Sequence, residues 1–549
     1  MKQSPWRLYV IAILLVIAAM SIVWRLFYLN ILDKSFLIKQ SNARILRDIP
    51  IPAYRGIITD RFGLPLAVSS PVESVWVNPQ EFQASYSQQL ALAHLLEVSG
   101  SYISQKTRKI AGREFVYLKR HNPPAVTDRI SALRIPGVYL EREYQRFYPE
   151  GEVTAHVVGR TNVDDRGQEG LELAYNNWLS GIPGKREVLK DRMGHVIEDL
   201  TTLQDPTQGH QLTLSLDNRI QYVAYSAIKE VVTEYHAESG SIVVLDNRTG
   251  EILAMANAPS YNPNDHSQAH SDRYRNYAVT DMFEPGSVIK PFNMALALES
   301  GHYTPNSMID TSPGRMHVGG NLTVTDDGLN YGKIDLTTVL QKSSNIGAAK
   351  ILMSLPAKSY WDLLHNFGFG DITHSGFPGE SSGRLVPRDA WYPSVVATLA
   401  YGYGIAVTTL QLAQAYSVLA DHGQLVPISL LKIDQAPMGQ QIIHAKVADD
   451  VVKMLETVVE RGGTGLQASI PNYHVAGKTG TAYIAEAGGY NKHKYISSFV
   501  GIAPAFDPRL VVAVVVRNPQ GQHFGGLVSA PVFAKVMGAA LRILDIPPS

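Results

Sequence analysis

In the segment Glu284-Pro-Gly-Ser-Val-Ile-Lys-Pro291, Ser287 and Lys290 stand three residues apart, after a Pro-Gly breaker and at the head of an apolar run, Val288–Leu298, that closes at Gly301. This spacing predicts a serine at a helix N-terminus. One helical turn stacks the lysine amine over the serine hydroxyl, and the unpaired N–H groups and dipole of the helix end favour a developing alkoxide. A serine is a weak nucleophile until a base takes its proton, and a desolvated lysine with a lowered pKa is such a base without histidine. The chemistry on offer is acyl transfer through a serine ester. The pair alone is a weak signal, because S-x-x-K recurs by chance and a solvent-exposed Ser–Lys pair is the ordinary reading of one match. The sequence holds no Cys, which excludes thiol nucleophiles, disulfides, Cys-ligated zinc and iron–sulfur clusters.

Two other patterns invite phosphate or metal chemistry and fail on spacing. Ala476-Gly-Lys-Thr-Gly480 resembles a phosphate-binding loop, but G-x-x-x-x-G-K-[ST] needs glycine where Asn472 stands, and Thr481–Ile484 reads as extended rather than helical. His266 and His270 have i, i+4 spacing, yet Asn262-Pro-Asn-Asp-His-Ser-Gln reads as loop and H-E-x-x-H is missing, so a metal site is not expected.

The elements that must hold Ser287 lie on both sides of it. Upstream, apolar residues at three- and four-residue steps predict a helix over Ile220–Tyr235, followed by strands Ser241–Asp246 and Glu251–Ala256 around the hairpin turn Asn247-Arg-Thr-Gly250. Downstream, Ser497–Ile502 and Leu510–Val516 form a second hairpin through Pro504–Arg509, and Pro531–Ile543 is a closing helix. Strands at both ends with helical sequence between them give an α+β unit, an antiparallel sheet covered by helices, over 210–549. The polar turn Asp205-Pro-Thr-Gln-Gly209 marks its start. Residues 35–209 read as an irregular, non-catalytic domain with short β-like runs at Gly56–Thr59 and Ser74–Val77 and a helical stretch at Glu81–Glu97. Two segments rich in charge and glycine, Arg55–Gly63 and Gly167–Glu172, read as turns held by local salt bridges.

The 549 residues predict two to four domains, and 45% apolar with 18% charged residues is ordinary globular composition. Lys+Arg and Asp+Glu both number 49, so no chain-wide electrostatic grip on nucleic acid is indicated. The N-terminus departs from this texture. After a short basic tail, residues 1–7 with Lys2 and Arg7, Leu8–Trp24 runs 17 residues without a charge, Trp6 and Trp24 bracket it, and apolar residues continue to Leu32. An uncleaved anchor over 8–32 is expected, because the apolar run passes straight through Ala18-Ala-Met-Ser21, where a signal peptide would be cut. The basic tail puts that end in the cytoplasm and the rest of the chain outside the membrane.

Beyond Ser287 the order of motifs narrows the chemistry. S-x-x-K at Ser287–Lys290, S-x-N at Ser343-Ser344-Asn345 and K-T-G at Lys478-Thr479-Gly480 follow one another within one unit, as in penicillin-recognising serine enzymes. The chain resembles a class B penicillin-binding protein, and within that class the division-specific transpeptidases of the FtsI type. The resemblance covers nearly the whole chain. It includes the anchor, Arg55–Gly63, Gly167–Glu172 (on a domain of the pedestal or dimerisation kind), Phe283-Glu-Pro-Gly-Ser and Tyr401-Gly-Tyr-Gly-Ile-Ala.

The resemblance implies a role for each motif residue. Ser287 is the acylated nucleophile and Lys290 its proton acceptor; Ser343 passes a proton to the leaving group and Asn345 holds the substrate's amide. Lys478 and Thr479 face the substrate's terminal carboxylate, Gly480 lets the substrate backbone approach, and the N–H groups of Ser287 and Thr481 form the oxyanion hole. Val288-Ile289 inside S-x-x-K and Thr479 in place of Ser vary from related sequences without removing a reacting group. The implied reaction attacks the D-Ala-D-Ala end of a peptidoglycan stem peptide and transfers the acyl group to an amine on a neighbouring strand at the septum. It needs no metal or organic cofactor, and β-lactams are covalent inhibitors.

With no glycosyltransferase domain evident, an FtsW-type polymerase and other division proteins are the implied partners of a single-pass inner-membrane protein with a periplasmic catalytic domain. An elongation-type transpeptidase, a D,D-carboxypeptidase, a β-lactamase and a β-lactam-binding sensor share the fold. A sensor calls for further spans and a cytoplasmic module, where this chain has seven residues before the anchor. A β-lactamase calls for a carboxylate in an E-x-x-L-N motif, and Glu380 in Phe377-Pro-Gly-Glu-Ser-Ser-Gly383 reads instead as an acid capping a turn. His523-Phe524 is either a lining of the pocket or an ordinary surface loop.

Overall fold

The structure, a computed structural model, describes residues 6–36, 39, 46–110, 112–190, 196–265, 271–320, 322–326, 328–387, 391–486 and 488–548. Helix α1 (Trp6–Phe27) runs on through a π-helical turn, Tyr28–Leu32, giving 27 residues, none buried, that contain an 18-residue stretch of mean hydropathy 2.5. At 1.5 Å per residue this exceeds the roughly 30 Å hydrocarbon core, so the segment is long enough to serve as a single-pass anchor. Its polar side chains are satisfied within the helix, Ser21 Oγ donating to Ile17 O and Asn30 Nδ2 to Leu26 O, both at 2.9 Å.

The region between anchor and catalytic unit carries more strand than its sequence pattern suggests. Strands β1 (Leu46–Ile51), β6 (Gly184–Lys190) and β7 (Val196–Gln204) form one antiparallel sheet. The second sheet is built on the 13-residue β3 (Pro65–Val77), which pairs with β2 (Ile58–Thr59), β4 (Val116–Asn122) and β5 (Val138–Phe147). Pro71 and the pair Ser69-Ser70 inside β3, and three register shifts between β6 and β7, interrupt the two-residue alternation by which strands are read. The helix expected over Glu81–Glu97 is Tyr86–Leu96, started by a capping box in which Gln88 N donates to Ser85 Oγ.

Arg55–Gly63 and Gly167–Glu172 are not separate turns with local ion pairs. They are pinned to each other. Glu172, fully buried, takes Arg55 Nε at 2.5 Å on one oxygen and Arg146 Nε at 2.6 Å on the other. Arg55 also donates to Asn176 Oδ1 at 2.9 Å, Ser180 Oγ at 3.0 Å and Glu172 O at 2.8 Å. Two guanidinium groups thus converge on one carboxylate across 117 residues of chain.

The passage into the catalytic unit is continuous. Strand β8 (Leu212–Thr213) pairs parallel to β2, and Arg61 next to it bridges to Glu251 at 3.1 Å, whose other oxygen accepts from Ile433 N at 3.1 Å. Helix α2 (Asn218–Glu234) starts on an Asp217 cap and leads to β9 (Ser239–Asp246) and β10 (Ile252–Ala258). The C-terminal part supplies three consecutive strands, β11 (Ala476–Glu486), β12 (Gly489–Ala503) and β13 (Leu510–Arg517), and the antiparallel order is β10-β9-β13-β12-β11. Because β-strand side chains alternate, Ile242, Val244, Val512 and Val514 face one core, with α2 and the closing helix, while Val243, Leu245, Val511 and Ala513 face another. That second core holds α3 (Lys290–Glu299), α4 (Leu336–Lys342), α5 (Asn345–Met353) and α6 (Thr409–Ala420). The closing helix α7 begins at Gly525 and runs through Pro531 to Ile543; it is apolar enough to span a membrane but is largely buried on the sheet. Packing there outweighs the one ladder bond that proline removes.

Removing one partner of a buried ion pair costs about 3–5 kcal/mol, because the remaining charge stays buried. Glu172→Ala leaves two guanidinium groups uncompensated, so denaturant unfolding of the detergent-solubilised chain should show a loss of about that size. A loss under about 1 kcal/mol would show that the Arg55–Glu172–Arg146 cluster does not hold the two segments together.

Candidate active site

Ser287 lies in a 3₁₀ turn, Gly286–Ile289, that passes directly into α3 at Lys290. In a 3₁₀ turn residues three apart eclipse, so Ser287 and Lys290 share one face more closely than in an α-helix. The turn is fixed by Gly286 N donating to Gly402 O at 3.2 Å and by the Tyr416 hydroxyl donating to Val288 O at 2.7 Å. Gly286 has φ +58°, a conformation costly for any side chain, and a Cβ there would crowd Thr481 O and Ala482.

Lys290 is completely buried and donates to Ser343 O at 2.5 Å, Asn345 Oδ1 at 2.7 Å and Ser343 Oγ at 3.2 Å. Lys478, also completely buried, reaches the same Ser343 Oγ from β11 at 3.0 Å and Thr479 O at 3.2 Å. The Ser343 hydroxyl therefore sits between two lysine amines. Burial, reinforced by the charge of Lys290, holds the Lys478 amine well below the ordinary lysine value.

The S-x-N motif is a helix-to-helix corner. Ser343 ends α4 in the left-handed region, φ 58°, and Ser344 caps α5 by accepting from Gly347 N at 2.9 Å. A residue without a motif holds this corner. The buried Asp326 carboxylate accepts from Ser344 Oγ at 2.7 Å, Asn345 N at 2.6 Å and Ile346 N at 3.0 Å. Asn345 is committed at both ends of its amide, to Lys290 and to Thr325 O at 3.0 Å, so holding a substrate amide requires exchanging one of these contacts.

The third motif lies on β11, which among the described residues is an edge strand paired only with β12. Its free edge offers main-chain donors and acceptors to an extended peptide. Thr479 Oγ1 meets Thr464 Oγ1 at 2.8 Å, and Thr481 Oγ1 accepts from Gly525 N at 3.1 Å. A Cβ on Gly480 would fall 2.9 Å from Val288 Cγ1 and 3.0 Å from Pro285 O. The missing side chain thus lets the strand lie against the serine turn and leaves room for the Ser498 hydroxyl of β12, which such a Cβ would crowd most.

The remaining candidates separate cleanly. Glu380 accepts from Thr373 N at 2.8 Å, Thr373 Oγ1 at 2.7 Å and Ser375 N at 2.9 Å, the turn-capping role expected of it. His523 stacks on Tyr495 with centroids 3.9 Å apart, and Phe524 is half exposed one residue before the Gly525 N–H that meets Thr481. That places the His523-Phe524 pair at the rim of the third motif rather than on an unrelated loop. His266 and His270 lie outside the described residues, and among the described residues no three His, Asp or Glu side chains cluster as a metal site would need. Sequence reading missed Asp326 and Glu284, because single acids in loops carry no periodic or spacing signal.

Comparison with known proteins agrees with this arrangement. The family described as Penicillin binding protein transpeptidase domain matches residues 240–538, and that described as Penicillin-binding Protein dimerisation domain matches 50–214. The chain is 42% identical over its full length to the probable peptidoglycan D,D-transpeptidase PbpC of Pseudomonas aeruginosa, covering 97% of that protein. It is 40% identical to peptidoglycan D,D-transpeptidase FtsI of Escherichia coli, over 99% of this chain and 92% of that one. Among solved structures, penicillin-binding protein 3 of Mycobacterium tuberculosis in complex with aztreonam superposes with a TM-score of 0.71 at 28% identity, over 91% of this chain and 98% of that one. The transpeptidase domain of Burkholderia pseudomallei penicillin-binding protein 3 superposes with a TM-score of 0.57 at 42% identity, over 61% and 97%. A catalytic-domain match over more than half its length and relatives this similar from end to end mean that the chain belongs to the penicillin-binding, FtsI/PenA-type peptidoglycan D,D-transpeptidases.

Proposed function

We propose that this enzyme cross-links peptidoglycan stem peptides at the division septum through an ester on Ser287, with Lys290, Ser343, Asn345 and Lys478 as the groups that move protons and hold the donor peptide. The observation that carries the reading is the Ser343 hydroxyl held between the buried Lys290 and Lys478 amines, beside the turn that presents Ser287. Lys290, in its neutral form and with one of its three donated contacts released, takes the Ser287 proton on Nζ as Ser287 Oγ attacks the carbonyl carbon of the penultimate D-Ala. The oxyanion forms against the Ser287 and Thr481 N–H groups. When the C–N bond breaks, the departing D-Ala amine takes its proton through Ser343, leaving the acyl group on Ser287. An amine of a neighbouring stem peptide then attacks the ester, gives up a proton along the same route in reverse and frees the serine.

Lys478, Thr479 and the edge of β11 hold the donor's terminal carboxylate and extended backbone. Among the described residues Lys478 has no carboxylate partner, so a carboxylate ligand supplies the counter-charge that its surroundings lack. β-Lactams acylate the same serine. Residues 1–7 are a cytoplasmic tail, 8–32 the inner-membrane anchor, 35–209 a non-catalytic domain and 210–549 the periplasmic transpeptidase domain. The anchor and non-catalytic domain meet an FtsW-type glycosyltransferase and other division proteins. The basic Lys2 and Arg7 support this orientation, and the full-length similarity to FtsI of Escherichia coli supports the septal role.

Fluorescent penicillin should label the wild-type chain and fail to label Ser287→Ala at unchanged thermal stability. Lys290→Ala should slow acylation by about 10²–10⁴-fold, the usual worth of a general base. Retained labelling of Ser287→Ala, or Lys290→Ala acylating within about tenfold of wild type, would move the chemistry elsewhere.

Lys478 gives a pH signature. Its amine binds a proton less readily folded than unfolded, so the unfolded state holds more protons and stability rises with pH until both states are deprotonated above the ordinary 10.5. Melting curves of wild type should rise relative to Lys478→Met as pH climbs towards 10.5; parallel curves would show an ordinary lysine. In cells, depletion should give filaments; rounding would place the enzyme in elongation.

A further inference from the structure

Glu284 stands three residues before Ser287 and has no part in the proton transfers above. Its Oε1 accepts from Gly404 N at 2.8 Å and from the Tyr490 hydroxyl at 3.0 Å, while its Oε2 is buried without a hydrogen-bond partner among the described residues. Burial raises its carboxyl above the ordinary range, so the site asks for an acceptor oxygen more than for a charge.

The two donors come from two separate elements. Gly404 ends the loop Tyr401-Gly-Tyr-Gly404, which rests on the serine turn: Gly402 O accepts from Gly286 N, and a Cβ on Gly402 would fall 2.1 Å from Gly286 O. Tyr490 lies near the start of β12 and pairs with Ala485 at the far end of β11. A second brace runs parallel to the first. The Tyr403 hydroxyl accepts from Tyr483 N at 3.2 Å, at the point where the β11–β12 register shifts, and the Tyr403 and Tyr490 rings meet with centroids 5.2 Å apart. Tyr483 is two residues beyond Thr481 on the same strand.

We propose that Glu284, Tyr403 and Tyr490 are positioning residues that set the gap between the Ser287 turn and strand β11, and so the spacing of the two N–H groups that receive the oxyanion. The inference rests on the Ser287–Thr481 oxyanion hole of the preceding section. Each donor of that hole is carried by one of the two braced elements. Displacement of such a donor by about 1 Å is enough to cost on the order of 10²-fold in rate.

The test uses the full chain acylated by benzylpenicillin labelled with ¹³C at the lactam carbonyl, with the acylation rate followed by rapid quench and the ester C=O stretch read by infrared difference. A looser hole polarises the ester less and moves its band to higher wavenumber, which a general loss of stability does not do. Tyr403→Phe, Tyr490→Phe and Glu284→Ala should each acylate about 10- to 100-fold more slowly with the band raised. Glu284→Gln, whose amide oxygen still accepts from both donors, should restore rate and band. Bands and rates of the two Tyr→Phe variants matching wild type would overturn the inference, as would Glu284→Gln behaving like Glu284→Ala. If Glu284→Ala does not fold, the two tyrosine variants decide. A wild type that forms no ester on Ser287 would instead overturn the mechanism beneath it.

Discussion

Two lysine amines buried to completion share one serine hydroxyl, and most of the catalytic unit serves that arrangement. The Lys478 amine is costly to charge away from water, and the charge of Lys290 makes it costlier. The Lys290 and Lys478 amines stay in place because Ser343 O, Asn345 Oδ1 and Thr479 O take their hydrogens. Those acceptors come from separate elements: the left-handed end of α4, the first residue of α5 and the edge strand β11. The five-stranded sheet and the helices of the second core hold these elements at hydrogen-bond distance.

The same logic of a buried charge met from several directions recurs outside the site. Glu172 draws Arg55 and Arg146 together in the N-terminal region, and Glu251 ties Arg61 and Ile433 across the passage into the catalytic unit. Asp326 does this on a smaller scale at the S-x-N corner, where one carboxylate meets a hydroxyl and two backbone N–H groups at the start of α5. In each of these the carboxylate is buried and joins segments that are apart in sequence.

Much of the site was legible because its chemistry sits in short motifs at fixed order, and the sheet because apolar runs and hairpin turns mark β9, β10, β12 and β13. Strand β12 starts eight residues before the expected Ser497, since it includes Lys492–Lys494, whose polarity hides a strand that extends beyond the core. The partnership of Arg55 with Glu172 could not be read locally, because nothing in either segment encodes the other. Asp326 was invisible for the same reason. Ser343 was recognised as a motif residue, but its left-handed backbone, which turns the hydroxyl toward both lysines, is a consequence of the α4–α5 corner and has no residue signature. Glycine at 480 was expected from the motif and found, with the serine turn as its neighbour.

The central claim is that Lys290 and Lys478 act as one coupled pair around Ser343. It is tested most directly by following the ζ-¹⁵N signal of Lys478 against pH in the wild type and in Lys290→Met. The account predicts titration below the ordinary 10.5 in the wild type and a move back toward 10.5 once the neighbouring amine is gone. Titration of Lys478 at 10.5 in the wild type, or at the same pH in both proteins, would contradict it.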